Sequence, residues 1–333
     1  VNKAVTQSDD QPILSVSGLS KRFPIKRGVF GGAKQYLHAV DDVSFELRPR
    51  ETLGIVGESG CGKSTTARMI VRLAQPSGGR IDFAGTDITN LSPNEMRPHR
   101  RALQFVFQDP YSSLNQRMRA ADIVAEPMHN FTDLRGKELR ERLAWLFDRV
   151  GLRKDMMDRF PHEFSGGQRQ RLGIARALAV NPSVIVADEP VSALDVSVQA
   201  QVINLMMDLQ KEFNLAYLFI AHDLAVVQHI SHHVAVMYLG KVVEIADRDS
   251  LFSDPQHPYT EALLDSVPIP DPEMRRESVA LSGEVPSPIN PPSGCRFHTR
   301  CPFAFDRCRK ESPKMRQVKQ GHSVACHLRE PQS

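Results

Sequence analysis

The feature that most constrains this chain is a glycine-rich loop set between a strand and a helix. Leu53-Gly54-Ile55-Val56 is a short apolar run that leads straight into Gly57-Glu58-Ser59-Gly60-Cys61-Gly62-Lys63-Ser64-Thr65, and helical spacing follows from Ser64 to Leu73. The loop fits G-x-x-x-x-G-K-[ST], a pattern whose mechanism requires that strand and helix on either side. Glycines let successive backbone N–H groups turn inward onto phosphate oxygens without Cβ clashes, and the start of the next helix adds its positive dipole end. Lys63 is expected to reach the β- and γ-phosphates of a bound nucleotide, and the Ser64 hydroxyl to ligate Mg²⁺.

The rest of the chain supplies the sheet such a loop needs. Apolar runs at Ile13-Leu14-Ser15-Val16, Val43 to Leu47, Phe105-Val106-Phe107, Val184 to Ala187 and Tyr217 to Ile220 read as strands, with a closing pair of strands between Val234 and Ile245. Val196 to Phe213 reads as a helix, and Tyr111 to Phe164 as a mostly helical insertion with Leu139, Leu143, Leu146, Phe147 and Val150 on one face. Strands alternating with helices predict an α/β fold with a mostly parallel sheet. Lys26 to Lys34 reads as a loop, and the proline-dense stretch from Val267 to Pro292 as an extended linker. No stretch approaches ~18 uninterrupted apolar residues, so no bilayer span is expected. The polar start from Val1 to Gln11 gives no secretion signal, so a reducing compartment is the expectation. A net charge of +3 is too small to point to nucleic acid.

Carboxylates complete the chemistry. The strand from Val184 delivers Asp188 and Glu189 to the end of the sheet, where Asp188 would hold the magnesium shell and Glu189 would polarise the attacking water. Gln108 ends another strand, so its amide can reach the metal or that water. His222 follows the strand ending at Ile220 and is placed to contact the γ-phosphate.

Phe164-Ser165-Gly166-Gly167-Gln168 resembles the signature motif of ATP-binding cassette (ABC) ATPases, with Phe164 where Leu is commonest, and Ser192-Ala193-Leu194-Asp195 resembles their D-loop. Gln108 and His222 fall where that family carries its Q-loop and H-loop residues, and Phe23 where it places an aromatic on adenine. The resemblance implies a RecA-like ABC nucleotide-binding domain over residues 12–265. It would hold a mostly parallel core sheet, an antiparallel β subdomain and an inserted α-helical subdomain at about 111–168. Residues 266–294 would be a Pro-rich linker. It further implies a head-to-tail dimer. The ATP held by Phe23, Gly57, Ser59, Gly60, Cys61, Gly62, Lys63, Ser64 and Thr65 would also meet the other subunit's Ser165, Gly166, Gly167, Gln168 and Asp195. Mg²⁺ would lie on Ser64, Gln108 and Asp188, with Glu189, His222 and Gln108 catalytic. Ser165-Gly166-Gly167 opens a helix predicted over Gln168 to Leu178, a second anion-attracting N-terminus and more than one triphosphate needs.

Within that family, Gln108 to Asn115, Glu163 to Arg171, Gln256-His257-Pro258-Tyr259-Thr260 and Gly294-Cys295-Arg296-Phe297-His298 resemble the ATPases of dipeptide and oligopeptide importers. Gln168 stands where the D-type subunit usually has Met, which resembles the F-type. The resemblance implies a D-type ATPase partner, two transmembrane permease subunits met by the helical insertion, an extracytoplasmic solute-binding protein and a place on the cytoplasmic face of the bacterial inner membrane. Related importers carry nickel or glutathione instead. A soluble ABC protein of DNA repair or translation would carry paired cassettes or long coiled coils, absent here, and a subunit that only holds ATP would not need Glu189 and His222.

The tail poses a separate problem. Residues 295–333 carry nine Lys/Arg against three Asp/Glu, a balance of +6 in a chain of +3, which leaves −3 for the rest. Cys295, Cys301, Cys308 and Cys326 are spaced C-x5-C-x6-C-x17-C without a C-x-x-C knuckle. By residue type alone they could hold zinc, ligate an iron–sulfur cluster or remain free thiols, and His298, His322 and His327 are possible further zinc ligands. The resemblance implies a small Cys-rich C-terminal appendage with a [4Fe-4S] cluster on the four thiolates, whose negative charge the basic tail would offset.

Overall fold

In the computed structural model, residues 11–25, 35–266 and 283–330 are described. In chain order the elements begin with β1 (Leu14–Ile25), β2 (Gln35–Leu47), β3 (Thr52–Val56), α1 (Lys63–Ile70), β4 (Gly78–Phe83) and β5 (Thr86–Asp87). There follow α2 (Pro93–Ala102), β6 (Leu103–Val106), α3 (Pro110–Ser113), α4 (Ala120–Phe131), α5 (Gly136–Arg149), α6 (Gly166–Leu178), β7 (Val184–Asp188), α7 (Val196–Phe213) and β8 (Ala216–Ile220). The chain closes with α8 (Leu224–Ile230), β9 (His233–Tyr238), β10 (Lys241–Asp247), α9 (Arg248–Ser253), α10 (Pro258–Asp265), α11 (Asp306–Lys310), β11 (Arg316–Lys319) and β12 (His322–Val324). The loop expected at Lys26 to Lys34 and most of the proline-dense linker lie outside the described residues.

Two compact units emerge. The first is built from Leu47–Thr52 and Ala84–Ile220, with the described residues up to Leu14. Its centre is the parallel trio β6-β7-β8, in register Phe105↔Val186 and Val186↔Leu218. Every residue of β7 and β8 is buried, which is why both read as continuous apolar runs and not as alternating ones. The helical insertion buries Ile123, Val124 and Met128 of α4 and Leu143, Leu146 and Phe147 of α5, and α6 packs against α3, α4 and α5. Asp195 caps the start of α7 and Asn214, at φ +54°, ends it, so the helix runs over the residues its sequence pattern predicts.

The second unit comprises Ser15–Glu46, Leu53–Phe83 and Ala221 onward. Here β3 runs parallel to β9, β9 pairs antiparallel with β10, and β10 pairs antiparallel with β12, to which β11 adds. A separate sheet carries β2, β1 and β4 in that order. The C-terminal strands, read from the sequence as part of an appendage, join the edge of β10. Glu244 of β10 is fully buried there, and its carboxylate accepts from the backbone N–H of Gln256 and His257 and meets the His322 ring at 2.6 Å. Three partners make the burial of that charge tolerable. Phe297 packs edge-on to Tyr238 of β9 with Tyr259 of α10 alongside, so this end of the chain shares the hydrophobic core of the unit.

His257 caps α10 by accepting the Tyr259 N–H at its Nδ1, 3.0 Å away, while its buried Nε2 has no hydrogen-bond partner. Burial, opposed by Glu244 and reinforced by Arg329, lowers its pKa from 6.5 to about 4. The unfolded chain therefore takes up this proton first, so stability is full above about pH 6.5 and is lost as pH falls toward 4. Between pH 7 and pH 5 this one group should cost about 2 kcal/mol. His257→Asn retains a cap acceptor, and urea melts of that variant should lose this part of the acid sensitivity.

Candidate functional site

The phosphate loop belongs to the second unit. β3 is buried along its whole length and ends where the loop begins. At Gly57 a Cβ would lie 2.1 Å from the Met237 carbonyl oxygen, so the loop starts pressed against the end of β9. Gly62, at φ +107°, is the N-cap of α1, and a Cβ there would sit 2.3 Å from the Ala39 carbonyl oxygen. Cys61 donates its N–H to the Glu58 carbonyl, and its own carbonyl accepts from Gly240 at 2.8 Å. Lys63 is buried, and its ammonium donates to the carbonyls of Gly57 at 2.6 Å and Glu58 at 3.0 Å, which places it inside the loop. Burial pushes the Cys61 thiol up, against the pull of Lys63, so it is held as a neutral small side chain. Ser59 and Gly60 are exposed at the loop tip, and Ser64 and Thr65 are half-buried in the first turn of α1.

His222 is exposed one residue beyond Ala221, whose N–H donates to Ile55 of β3. That bond sets His222 beside the strand end that feeds the loop. Phe23 lies on β1, 39% exposed, with the Lys21 ammonium 5.0 Å from its ring centroid.

The first unit gathers the other residues. β6 and β7 are parallel with Val106 opposite Ala187, and extending that register by two residues sets Gln108 opposite Glu189. The side chains meet, the Gln108 amide donating to the Glu189 carboxylate at 2.9 Å. Asp188 is 2% exposed at the end of β7. Glu189 follows at φ +46°, its N–H bonded to Ile220 of β8 and its carbonyl accepting from the Ser192 hydroxyl. A non-glycine residue in this left-handed region is held there by its surroundings. Gln108 lies two residues past β6, which ends at Val106 and not, as its apolar run suggests, at Phe107.

The signature segment forms the start of α6. The Ser165 hydroxyl accepts from the Gln168 N–H, and the Gln168 side chain accepts from the Ser165 N–H at 3.0 Å. This reciprocal cap starts the helix at Gly166, two residues before the predicted start. Gly167 is buried against α7, where a Cβ would come 2.3 Å from Val198 Cγ1. Asp195 accepts from the Val198 N–H and the Ser197 hydroxyl, which hold its carboxyl below the usual range. Ser165, Gly166 and Asp195 are exposed, and a Cβ on Gly166 would lie 3.3 Å from the side chain of Leu194, the residue before Asp195.

Two site neighbours escaped the sequence reading. Tyr259 accepts the Glu58 N–H at 2.9 Å, and Arg300 grips the Glu58 carboxylate. Tyr259 sits in the Gln256-to-Thr260 motif noticed for its resemblance alone; Arg300 carries no pattern that would point to a loop residue so distant in sequence.

Residues 40–192 match the ABC transporter family, and residues 243–308 match the oligopeptide/dipeptide transporter C-terminal region. The chain is 57% identical to the probable peptide ABC transporter ATP-binding protein y4tS of Sinorhizobium fredii, over 96% of this chain and 90% of that one. It is 53% identical to the oligopeptide transport ATP-binding protein AppF of Bacillus subtilis over 97% and 99% of the two chains. This chain belongs to the oligopeptide/dipeptide ABC transporter ATPases. Against the dipeptide transport ATP-binding protein DppF of Haemophilus influenzae the identity is 49% over 96% and 97%. Among solved structures, the dimeric ATP-binding cassette MJ0796 in a post-hydrolysis state with ADP and Pi aligns at TM-score 0.62 and 26% identity, covering 71% of this ABC ATPase and 98% of that chain. CbiO1 of Clostridium perfringens, part of the transporter complex cbiONQ, aligns at TM-score 0.62 and 27% identity, over 73% and 91%.

The tightest backbone approach in the N-cap of α1 makes a direct prediction. Gly62→Ala should weaken Mg·ATP binding at least tenfold while leaving the circular dichroism spectrum unchanged, because the added Cβ must displace a backbone carbonyl.

Proposed function

We propose that this chain hydrolyses ATP to drive uptake of dipeptides or oligopeptides, as the F-type of two unlike ATPase subunits on the cytoplasmic face of a bacterial membrane. The observation that carries the reading is the junction of a cassette at residues 40–192 with a peptide-transporter C-terminal region at 243–308 in one chain. Among the described residues no helix is long and apolar enough to cross a membrane, so permease subunits would supply the path. The helices of the insertion after Gln108 would meet those permeases, and a D-type subunit and a solute-binding protein would complete the transporter.

Gly57 to Thr65 would cradle the phosphates, with Phe23 against adenine. Ser64, Gln108 and Asp188 offer the hard oxygen donors that suit Mg²⁺, which when bound neutralises charge on the β- and γ-phosphates. Glu189 would accept a proton from the attacking water while Gln108 holds its carboxylate, and His222 would steady the γ-phosphate. A second subunit's phosphate loop would receive this chain's Ser165, Gly166, Gly167, Gln168 and Asp195, and the exposure of Ser165, Gly166 and Asp195 supports that role. Glu189→Gln should keep ATP bound and lower phosphate release by about 10²–10⁴-fold. Normal hydrolysis by that variant removes Glu189 from the role of base.

For the tail, we infer that Cys295, Cys301, Cys308 and Cys326 hold a [4Fe-4S] cluster. Burial pushes the thiols of Cys295 and Cys326 up to about 11, and the neighbouring cysteines push further in the same direction, so they lie within electrostatic range of one another. Cys295 donates its N–H to the Cys308 carbonyl at 2.8 Å, tying two of them together. Among the described residues no group of three or more His, Cys, Asp or Glu is gathered closely enough for a single metal ion. The surrounding chain would staple the tail through the cluster. His298 turns its Nδ1 to the Cys295 carbonyl, His322 to Glu244, and His327 to Glu330 and the Glu311 carbonyl, so none serves as a ligand in this reading. Anaerobic purification should give a brown protein with four irons per chain; a colourless protein with stoichiometric zinc would refute the cluster.

A further inference from the structure

The phosphate loop has a partner that neither its motif nor the ATP chemistry requires. Glu58, its second residue, lies in a position the loop pattern leaves open, yet its side chain is bound at both oxygens. Arg300 donates from Nη1 to Oε2 at 2.7 Å and from Nη2 to Oε1 at 3.0 Å. The Arg300 side chain is 5% exposed and that of Glu58 25%. This fork-to-fork geometry fixes direction as well as distance. The backbone of the same residue is held too, its N–H by the Tyr259 hydroxyl and its carbonyl by the Lys63 ammonium. The position of Glu58 therefore bears directly on the lysine that reads the phosphates.

A second arginine four residues earlier braces the other side of the loop. Arg296 donates to the Leu239 carbonyl and to the Asp41 carboxylate. Leu239 sits at φ +44°, a conformation that needs such support, and the next residue, Gly240, donates its N–H to the Cys61 carbonyl. Arg300 thus reaches the loop directly at Glu58 and Arg296 reaches it at Cys61 through Leu239 and Gly240, and both arginines lie between Cys295 and Cys301.

We propose that Arg300 is a positioning residue of the nucleotide site, and that the segment from Cys295 to Cys301 braces the phosphate loop in its ATP-accepting shape. The C-terminal region is then a working part of the ATP site. Whatever fastens the two flanking cysteines also fastens the two arginines. The inference rests on the reading that ATP binds at Gly57 to Thr65.

The full chain, titrated with the fluorescent nucleotide mant-ATP and Mg²⁺, tests it. Arg300→Gln and Glu58→Gln should each raise Kd about tenfold. The double variant should bind no more weakly than either single one, since both break one contact. Arg300→Lys, which keeps the charge and loses the fork, should fall between them and the parent. A role confined to holding the tail would lower the melting temperature and leave Kd unchanged. Single variants within twofold of the parent, or effects that multiply in the double variant, overturn the proposal. If Arg300→Gln does not fold, Glu58→Gln and Arg300→Lys give the same readout. Lys63→Ala separates the two readings: loss of binding there upholds the loop as the ATP site, whereas retained binding overturns that reading.

Discussion

A loop that turns its backbone N–H groups toward an anion cannot use them to hold itself, so its shape must be imposed from behind. Polar backbone groups need partners, and those turned toward a ligand are not available to hold the loop. The second unit meets this constraint with close backbone contacts. Gly57 is wedged against the Met237 carbonyl and Gly62 against the Ala39 carbonyl, and the Cys61 carbonyl is tied to Gly240. Each of those supporting groups sits at the end of β9, at the turn after it, or on β2. The order of β3, β9 and β10 is in this sense the frame of a mould whose inner surface is the loop.

The first unit meets a different demand, bringing together two side chains from different strands. Parallel pairing does this through register alone, because equal offsets carry Val106 to Ala187 and Gln108 to Glu189. A slip of one residue would move Gln108 out of line with Glu189. The apolar run that buries β7 is thus also what aims the carboxylates after it.

Much of this was legible because burial and motif coincide. Val196 to Phe213, flanked by a cap acid and an asparagine, forms the helix its pattern predicts, and the runs ending at Asp188 and Ile220 are the strands expected. Local signals that were present but weaker went unread. Ser92 and Glu95 form a capping box with Pro93 inside it and open α2, just as Ser165 and Gln168 open α6 ahead of the predicted start. The strands β11 and β12 are short, polar and mixed, so no periodicity marks them; their partner β10 supplies the reason they form. The pairing of Glu58 with Arg300 is a contact between residues of no special local pattern, and such contacts exist only once the fold has been assembled.

The pairing of β12 with β10 also sets an order of events during synthesis. Glu244 and His322 are 78 positions apart, so β10 leaves the ribosome long before the strand that covers its edge. Until then a sheet edge and a carboxylate destined for burial face solvent together. At about 5–20 residues per second the wait is several seconds, far longer than a hairpin takes to close. An unpaired edge is a template for pairing with another chain, and the charge of Glu244 in its middle opposes such a match. The residue that anchors the finished tail would thus serve earlier as the guard of an unfinished sheet.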